Sequence, residues 1–362
     1  MTGHKRNHRF LISIFNLLFD SFIAINDNIP FKLVNMKKYL YTLSLTGSLL
    51  LSATTSHAHS LSKTEWENKH SFLSTVRVGG AQTAADLTQN YSHKAIDCGS
   101  STKPAFLCSG VLLRGTNTFS TSYHSWDPSP TSVESGGVSF SYLRIDSKYS
   151  KLAYSYNNGF IFFPFFNAPD NEGIDTDIDI MCSFPIDAAT ESRADKGCGA
   201  SYVYPTQSGP CQEQDIFTAD EWYSHYSQGN ENHTYQCGFT IDDYSNYDTA
   251  SAFYQTILSM AKISSESIKE QNELRLATWA QGKQDSLPIQ AFFYVNGSNA
   301  GKTSAQNNQK DYFNSTTNNI WIPVIKITLP ATTSDDASFI YNKMDQLIPE
   351  PTTKKQDVFI RG

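Results

Sequence analysis

The chain has 362 residues, enough for one large domain or two smaller ones. A charged fraction of 17% is too low for charge-driven disorder, and an aromatic fraction of 13%, with 19 Tyr and 23 Phe, supplies apolar area for a packed, β-rich core. The 28 basic residues are outnumbered by 35 acidic ones and form no large cluster in the body of the chain, which argues against double-stranded nucleic acid as a partner.

Met36 opens a run with the pattern of a secretory signal peptide. Lys37 and Lys38 give the positive n-region. Residues 39–53 are apolar but too short and too rich in Ser and Thr for a good membrane span. Ser56-His57-Ala58 is a small-x-small cleavage site. The expectation is that residues 36–58 are a cleaved signal and that a single secreted domain, residues 59–362, begins at His59. A retained membrane anchor is the weaker alternative. Residues 1–35, with an apolar run of their own at 10–25, are read as an upstream start artefact. The expected route is Sec export through the periplasm to the outside, with no stable membrane insertion after signal removal.

All six cysteines lie beyond the signal: Cys98, Cys108, Cys182, Cys198, Cys211 and Cys237. An even number in an exported chain reads as a disulfide framework. The sequence does not choose among the connectivities. Local pairing would join Cys98 to Cys108, Cys182 to Cys198 and Cys211 to Cys237. No Cys-x-x-Cys pair is present, and no two histidines of the mature chain sit at ligand spacing, so no metal site is expected.

In chain order, residues 81–95 carry Ala, Leu and Tyr at helical spacing. The apolar run Val111-Leu112-Leu113 then delivers Arg114, and a Ser, Thr and Pro loop leads through Gly136-Gly137 to the alternating run Val138-Ser139-Phe140-Ser141-Tyr142-Leu143. Two short strands joined by a polar loop is the plain reading. Residues 147–156 leave helix and strand open. Residues 159–166 read as a buried strand, with Pro164 arguing for an edge or a bend. A Cys-rich middle, residues 168–248, reads as disulfide-held loops with one short helix at 218–226, capped by its Thr-Ala-Asp-Glu run. Residues 251–281 read as the best helix, 287–295 and 320–329 as late strands, and 337–347 as a final helix. The whole reads as one α+β domain with an elaborated middle.

Several motifs fail on inspection. Asp175-Thr176-Asp177-Ile178-Asp179 resembles the start of a calcium loop, but Ile180 and Ile186 stand where the turn glycine and the bidentate Glu belong. There is no G-x-S-x-G elbow, no phosphate-binding loop and no H-E-x-x-H. His124, His225 and His233 are isolated and read as surface or satisfied histidines. Asn232, Asn296 and Asn314 each open a glycosylation acceptor triplet, a weak signal.

Three pieces do recur in a meaningful order. Arg114 ends a strand, Ser139-x-Ser141 lies on the following strand, and Gln271-Asn272-Glu273 precedes the apolar run at Leu287-Pro288. Taken singly, each has a bland reading: a strand-end ion pair, the outer face of a strand, and a helix-surface carboxylate. Together they resemble the mono-ADP-ribosylating toxins of the cholera and pertussis type. Those carry an Arg at the end of the first strand, an aromatic-Ser-Thr-Ser strand and a (Gln/Glu)-x-Glu turn. VSFSYLR is similar to their Val-Ser-Thr-Ser strand, with Phe140 where Thr is usual. The strand at residues 160–166 competes for the same slot but carries no Ser. The phrases CSGVLLRGT, GGVSFSYLR, EQNELRLATWAQ and LPIQAFFY, as a set, resemble the halovibrin family of secreted bacterial proteins, over residues 81–329.

That resemblance implies an ADP-ribosyltransferase-like α+β fold, with mixed sheets and helices around an NAD cleft and disulfide-stabilised loops. It also implies NAD glycohydrolase or ADP-ribosyltransferase activity. NAD is the substrate, and no further cofactor or metal is implied. On this reading Arg114 binds a phosphate or the adjoining ribose through its planar fork, which a lysine does not reproduce. Glu273 opposes the oxocarbenium charge on the ribose, as carboxylates do in glycoside hydrolysis. Ser139 and Ser141 hold Glu273 and shape the nicotinamide pocket. In the toxins a Glu two positions before the catalytic one goes with arginine as acceptor. Here that position is Gln271, and Glu270 is one out of frame, which points to water or to a target other than arginine. Two other classes compete: a disulfide-stabilised secreted binding or adhesion protein, and a different hydrolase using carboxylates such as Asp127 or Glu221.

Overall fold

The computed structural model describes residues 79–126, 138–162, 179–188, 198, 210–229, 236–241, 247–266, 271–277, 289–316 and 319–351. All lie in the compact unit His57–Gly362. The expectations for residues 1–58, for the Asp175–Ile178 acidic run, and for Asp127, Pro164, His233 and Glu270 fall outside the described residues.

The elements are α1 (Gly80–Ser92), β1 (Val111–Gly115), β2 (Val138–Leu143), β3 (Asn158–Phe162), β4 (Asp179–Phe184), α2 (Ala219–Gln228), β5 (Phe239–Thr240), α3 (Thr249–Glu266), β6 (Glu273–Ala277), β7 (Ile289–Val295), α4 (Asn299–Ser315), β8 (Val324–Thr328) and β9 (Ser338–Tyr341). Among the described residues, nine strands make one open mixed sheet in the order β5-β4-β6-β2-β1-β3-β7-β8-β9. Among these described strands only β7 and β8 pair in parallel; the other strand pairings are antiparallel. A parallel pair needs a crossover, and α4 supplies it.

Strand alternation sends successive side chains to opposite faces, and both faces are covered. Leu112, Phe140, Phe160, Leu274, Leu276 and Phe292 join one core with Trp222 and Tyr226 of α2, Phe253 and Ile257 of α3 and Tyr312 of α4. Val111, Leu113, Leu143, Ile161, Phe293 and Ile325 join a second core with Leu87 and Tyr91 of α1 and Phe339 of β9. Cys182, Cys198, Phe184 and Ala188 form a third, small cluster.

The three disulfides follow local pairing: Cys98–Cys108, Cys182–Cys198 and Cys211–Cys237. Helix α2 carries the expected capping box: the Thr218 hydroxyl accepts from Glu221 N–H, and the Glu221 carboxylate accepts from the Thr218 N–H.

Three expectations are corrected. The long helix read at 251–281 is two elements, α3 and then β6, because Glu-Leu-Arg-Leu-Ala alternates with period two and is gripped between β2 and β4. The final helix at 337–347 is instead β9 and a short 3-10 turn at Lys343–Asp345; Phe339 points into the core and Ile340 is exposed, which is a strand period. The middle is more than loops and a helix, since it contributes β4 and β5 to the sheet. The buried strand read at 159–166 is found, over its described residues, as β3, interior between β1 and β7 and with a register shift at Ile161/Phe162. The undecided residues 147–156 resolve as irregular chain with one 3-10 turn, Ala153–Ser155.

Candidate functional site

The second face of the sheet changes character along β2. In the β1/β2 ladder Leu113 stands opposite Ser141, and in the β2/β6 ladder Ser139 stands opposite Arg275. Apolar packing by Val111, Leu113 and Leu143 therefore gives way, on the same face, to Ser141, Ser139, Arg275 and Glu273. β1 pairs with the C-terminal half of β2 and β6 with its N-terminal half, so the two neighbours of β2 grip different stretches of it.

Arg114 stands where the β1/β2 ladder has ended. Its Nη1 donates to the Ser139 carbonyl at 2.7 Å, so the side chain continues the pairing that the backbone stops making. Gly159 lies opposite Gly115 on the other side of β1, and a Cβ there would run into the Arg114 carbonyl; glycine lets the strands close around the arginine. Arg114 is half-buried. Burial pushes its guanidinium down from the ordinary range, and the neighbouring Tyr156 and Glu273 oppose that shift.

Glu273 is 3% exposed. Its Oε1 accepts from Ser139 Oγ at 2.7 Å and from Arg275 Nε at 2.9 Å, and its Oε2 accepts from the Ala188 N–H at 3.1 Å. Arg275 is itself fully buried beneath it, with its guanidinium over the Phe184 ring at 5.2 Å. The bland reading of Glu273 as a helix-surface carboxylate is thus corrected: it opens a strand, in the interior, on an arginine. The residue before it does equally specific work. Asn272 Oδ1 accepts from Tyr142 N–H at 2.7 Å, and Nδ2 donates to the Tyr142 carbonyl at 2.8 Å. A side-chain amide thereby extends the β6/β2 ladder by one rung and fixes where Glu273 emerges.

Ser141 does not bond Glu273. Its Oγ donates to the Leu113 carbonyl at 3.1 Å and meets the Tyr149 hydroxyl at 2.9 Å. Burial pushes the Tyr149 phenol up, so it stays a neutral donor. The expected shared role of the two serines therefore splits: Ser139 holds the carboxylate, and Ser141 ties β2 to β1. Gln271 faces Asp187. Its carbonyl accepts from Asp187 N–H at 2.8 Å, and its Nε2 donates to Asp187 Oδ2 at 3.4 Å.

Arg114, Ser139, Ser141, Gln271 and Glu273 all line one cavity of about 260 Å³. Asp187, Tyr154 and Tyr156 share its wall and were missed in the sequence. Tyr154 and Ser155 both have left-handed backbone, φ 52° and 55°, and Tyr154 is 80% exposed with its ring 5.6 Å from that of Tyr156. Backbone held in this region by non-glycine residues concentrates at functional sites. Nothing in the Ala-Tyr-Ser-Tyr run announces it. Asp187 carried a signal only in hindsight, as the acidic residue closing an apolar run.

The other candidates are committed elsewhere. Glu221 caps α2, where the N–H groups of Phe217 and Thr218 and the Thr218 hydroxyl hold its carboxyl below the usual range. His124 bonds Asp311 at 2.6 Å and stacks on Trp126. Among the described residues no group of three or more His, Cys, Asp and Glu side chains is placed to hold a metal ion, and no helix is long and apolar enough to cross a membrane. A scan against family models finds no match for the chain, and a search of curated proteins finds none either.

Proposed function

We propose that the chain is a secreted enzyme of ADP-ribosyltransferase-like fold that cleaves the nicotinamide–ribose bond of NAD, releasing nicotinamide and ADP-ribose. The observation that carries this reading is the 2.7 Å hydrogen bond from Ser139 to a Glu273 carboxylate that opens onto the same cavity as Arg114. A cavity of about 260 Å³ is small for a whole dinucleotide and suits one end of it, a pyridinium ring with its ribose.

The chemistry follows from charge. The Arg114 fork pairs with the pyrophosphate or the ribose beside it. As the C1′–N bond breaks, its electron pair leaves with the ring nitrogen, neutralising the pyridinium and leaving positive charge on the ribose. Glu273, held by Ser139, Arg275 and the Ala188 N–H, opposes that charge without having to reorganise. The bond from Arg275 keeps the carboxylate oriented in a nearly dry setting. With Gln271 rather than Glu at the acceptor-side position, water is the acceptor this reading favours.

The test is incubation of the oxidised protein with NAD, following free nicotinamide. Release with a matching yield of ADP-ribose is expected. No release from NAD or NADP turns the reading to a disulfide-stabilised binding protein.

A further inference from the structure

The cavity holds a second carboxylate whose placement is tied to the first. Asp187 and Ala188 follow β4 after Pro185 and Ile186. The Asp187 N–H donates to the Gln271 carbonyl at 2.8 Å, and the next N–H, of Ala188, donates to Glu273 Oε2 at 3.1 Å. One turn therefore sets Asp187 and Glu273 relative to each other on the wall of a single cavity. Ala188 is fully buried in the cluster with Cys182, Cys198 and Phe184, so the turn is braced from behind by a disulfide.

Glu273 accepts from Ser139, from the Ala188 N–H and from the buried Arg275 guanidinium, and is suited to facing positive charge. Asp187 is half-buried on the same cavity wall, and its Oδ2 accepts from the Gln271 amide at 3.4 Å. A carboxylate held at the wall of a cavity by a side-chain donor is placed to receive a proton from water that enters it.

We propose that Asp187 is the general base of the hydrolytic step, with Gln271 as its positioning residue. This rests on the NAD-cleaving reading of the cavity. Asp187 takes the proton of the attacking water while the water oxygen bonds to C1′ and the C1′–N electron pair leaves with nicotinamide. The products are ADP-ribose, nicotinamide and a protonated Asp187, which returns its proton to solvent. The carboxylate absent at position 271 is supplied by Asp187 through space.

The test separates nucleophiles that must lose a proton from one that need not. A pyridine base attacks C1′ through its ring nitrogen, is uncharged and has no proton to give up. The oxidised full chain and its Asp187→Asn variant are supplied with NAD and 3-acetylpyridine, and ADP-ribose is measured against the 3-acetylpyridine dinucleotide. Asp187→Asn is expected to lower ADP-ribose formation about 100-fold and to raise the ratio of exchange to hydrolysis at least about tenfold. Asp187→Ser, smaller and unable to mimic the carboxylate, should show the same ratio change if the Asn variant folds poorly. A ratio unchanged in both variants, with the two products falling together, assigns Asp187 a structural role and overturns the proposal. Wild-type hydrolysis in Asp187→Asn overturns it too. Absence of both products from the unaltered chain overturns the NAD reading and this inference together.

Discussion

The Ser139 hydroxyl and the Glu273 carboxylate meet at 2.7 Å although 134 residues separate them in sequence. The contact exists because β6 enters the sheet beside β2 and the Asn272 amide locks its register. A hydrogen bond to a charged group is worth about 1.5–3 kcal/mol. If Glu273 acts on the ribose, Ser139→Ala should lower kcat for nicotinamide release about 10- to 100-fold with little change in KM. Steady-state kinetics on the folded variant checks this, and an unchanged kcat removes Ser139 from the site.

Glu273 is also part of the interior, so its replacement carries a structural cost. Glu273→Gln leaves the buried Arg275 without its carboxylate. Breaking a buried pair from one side costs about 3–5 kcal/mol. Urea unfolding should show that loss, and the double variant Glu273→Gln/Arg275→Met should recover part of it. Additive losses in the double variant would mean that the pair is not coupled.

The disulfides should separate stability from activity. Their sequence separations are 10, 16 and 26 for Cys98–Cys108, Cys182–Cys198 and Cys211–Cys237. Loop-closure entropy then gives contributions of about 2.7, 3.1 and 3.5 kcal/mol. Removing Cys211–Cys237 should lower stability most. Removing Cys182–Cys198 should lower activity most, because that bridge backs Ala188, whose N–H holds Glu273. Paired Cys→Ala variants, scored by denaturant midpoint and by nicotinamide release, test both orders.

Acid should release a second network, around Asp345. Asp345 is 5% exposed and bonds Tyr294 at 2.7 Å and Lys302 at 2.5 Å. Burial pushes its carboxyl up, but the Lys302 ammonium and the Tyr294 hydroxyl outweigh that and hold it below the usual range. A depressed folded value means that the contribution is present above the unfolded value, about 3.9, and is lost as pH falls through the folded one. The stability gap between the wild-type chain and Asp345→Asn should therefore be full at neutral pH and shrink from about pH 4 downward. A gap that is constant with pH would contradict this.

Strand β1, strand β2 and helix α2 were legible in the sequence because their local signals agree with their surroundings. The apolar run before Arg114, the alternation around Phe140 and the Thr218/Glu221 capping box each speak within a few residues. Helix α4 was not legible. Its inner face is built from Gly301, Ser304, Asn308 and Gln309 as much as from Ala305 and Tyr312, so it has little apolar period. β6 was misread because Glu273 and Arg275 look like a solvated helix surface until the fold places them against each other. The order Arg114, Ser139, Glu273 could be read from the chain. The contributions of Asp187 and Tyr154 arise only when β4 and the turn before β3 are brought to the same cavity.

The central claim is that Glu273 opposes charge developing on the ribose of NAD. The direct measurement is nicotinamide release by folded Glu273→Gln beside Glu270→Gln, one position out of frame, with NAD affinity measured in parallel. The account predicts that turnover falls by orders of magnitude in Glu273→Gln, with a much smaller change in NAD binding, because the interaction is felt mainly in the transition state. Glu270→Gln should turn over at the wild-type rate. Full activity in a folded Glu273→Gln protein, or a loss confined to Glu270→Gln, would contradict it.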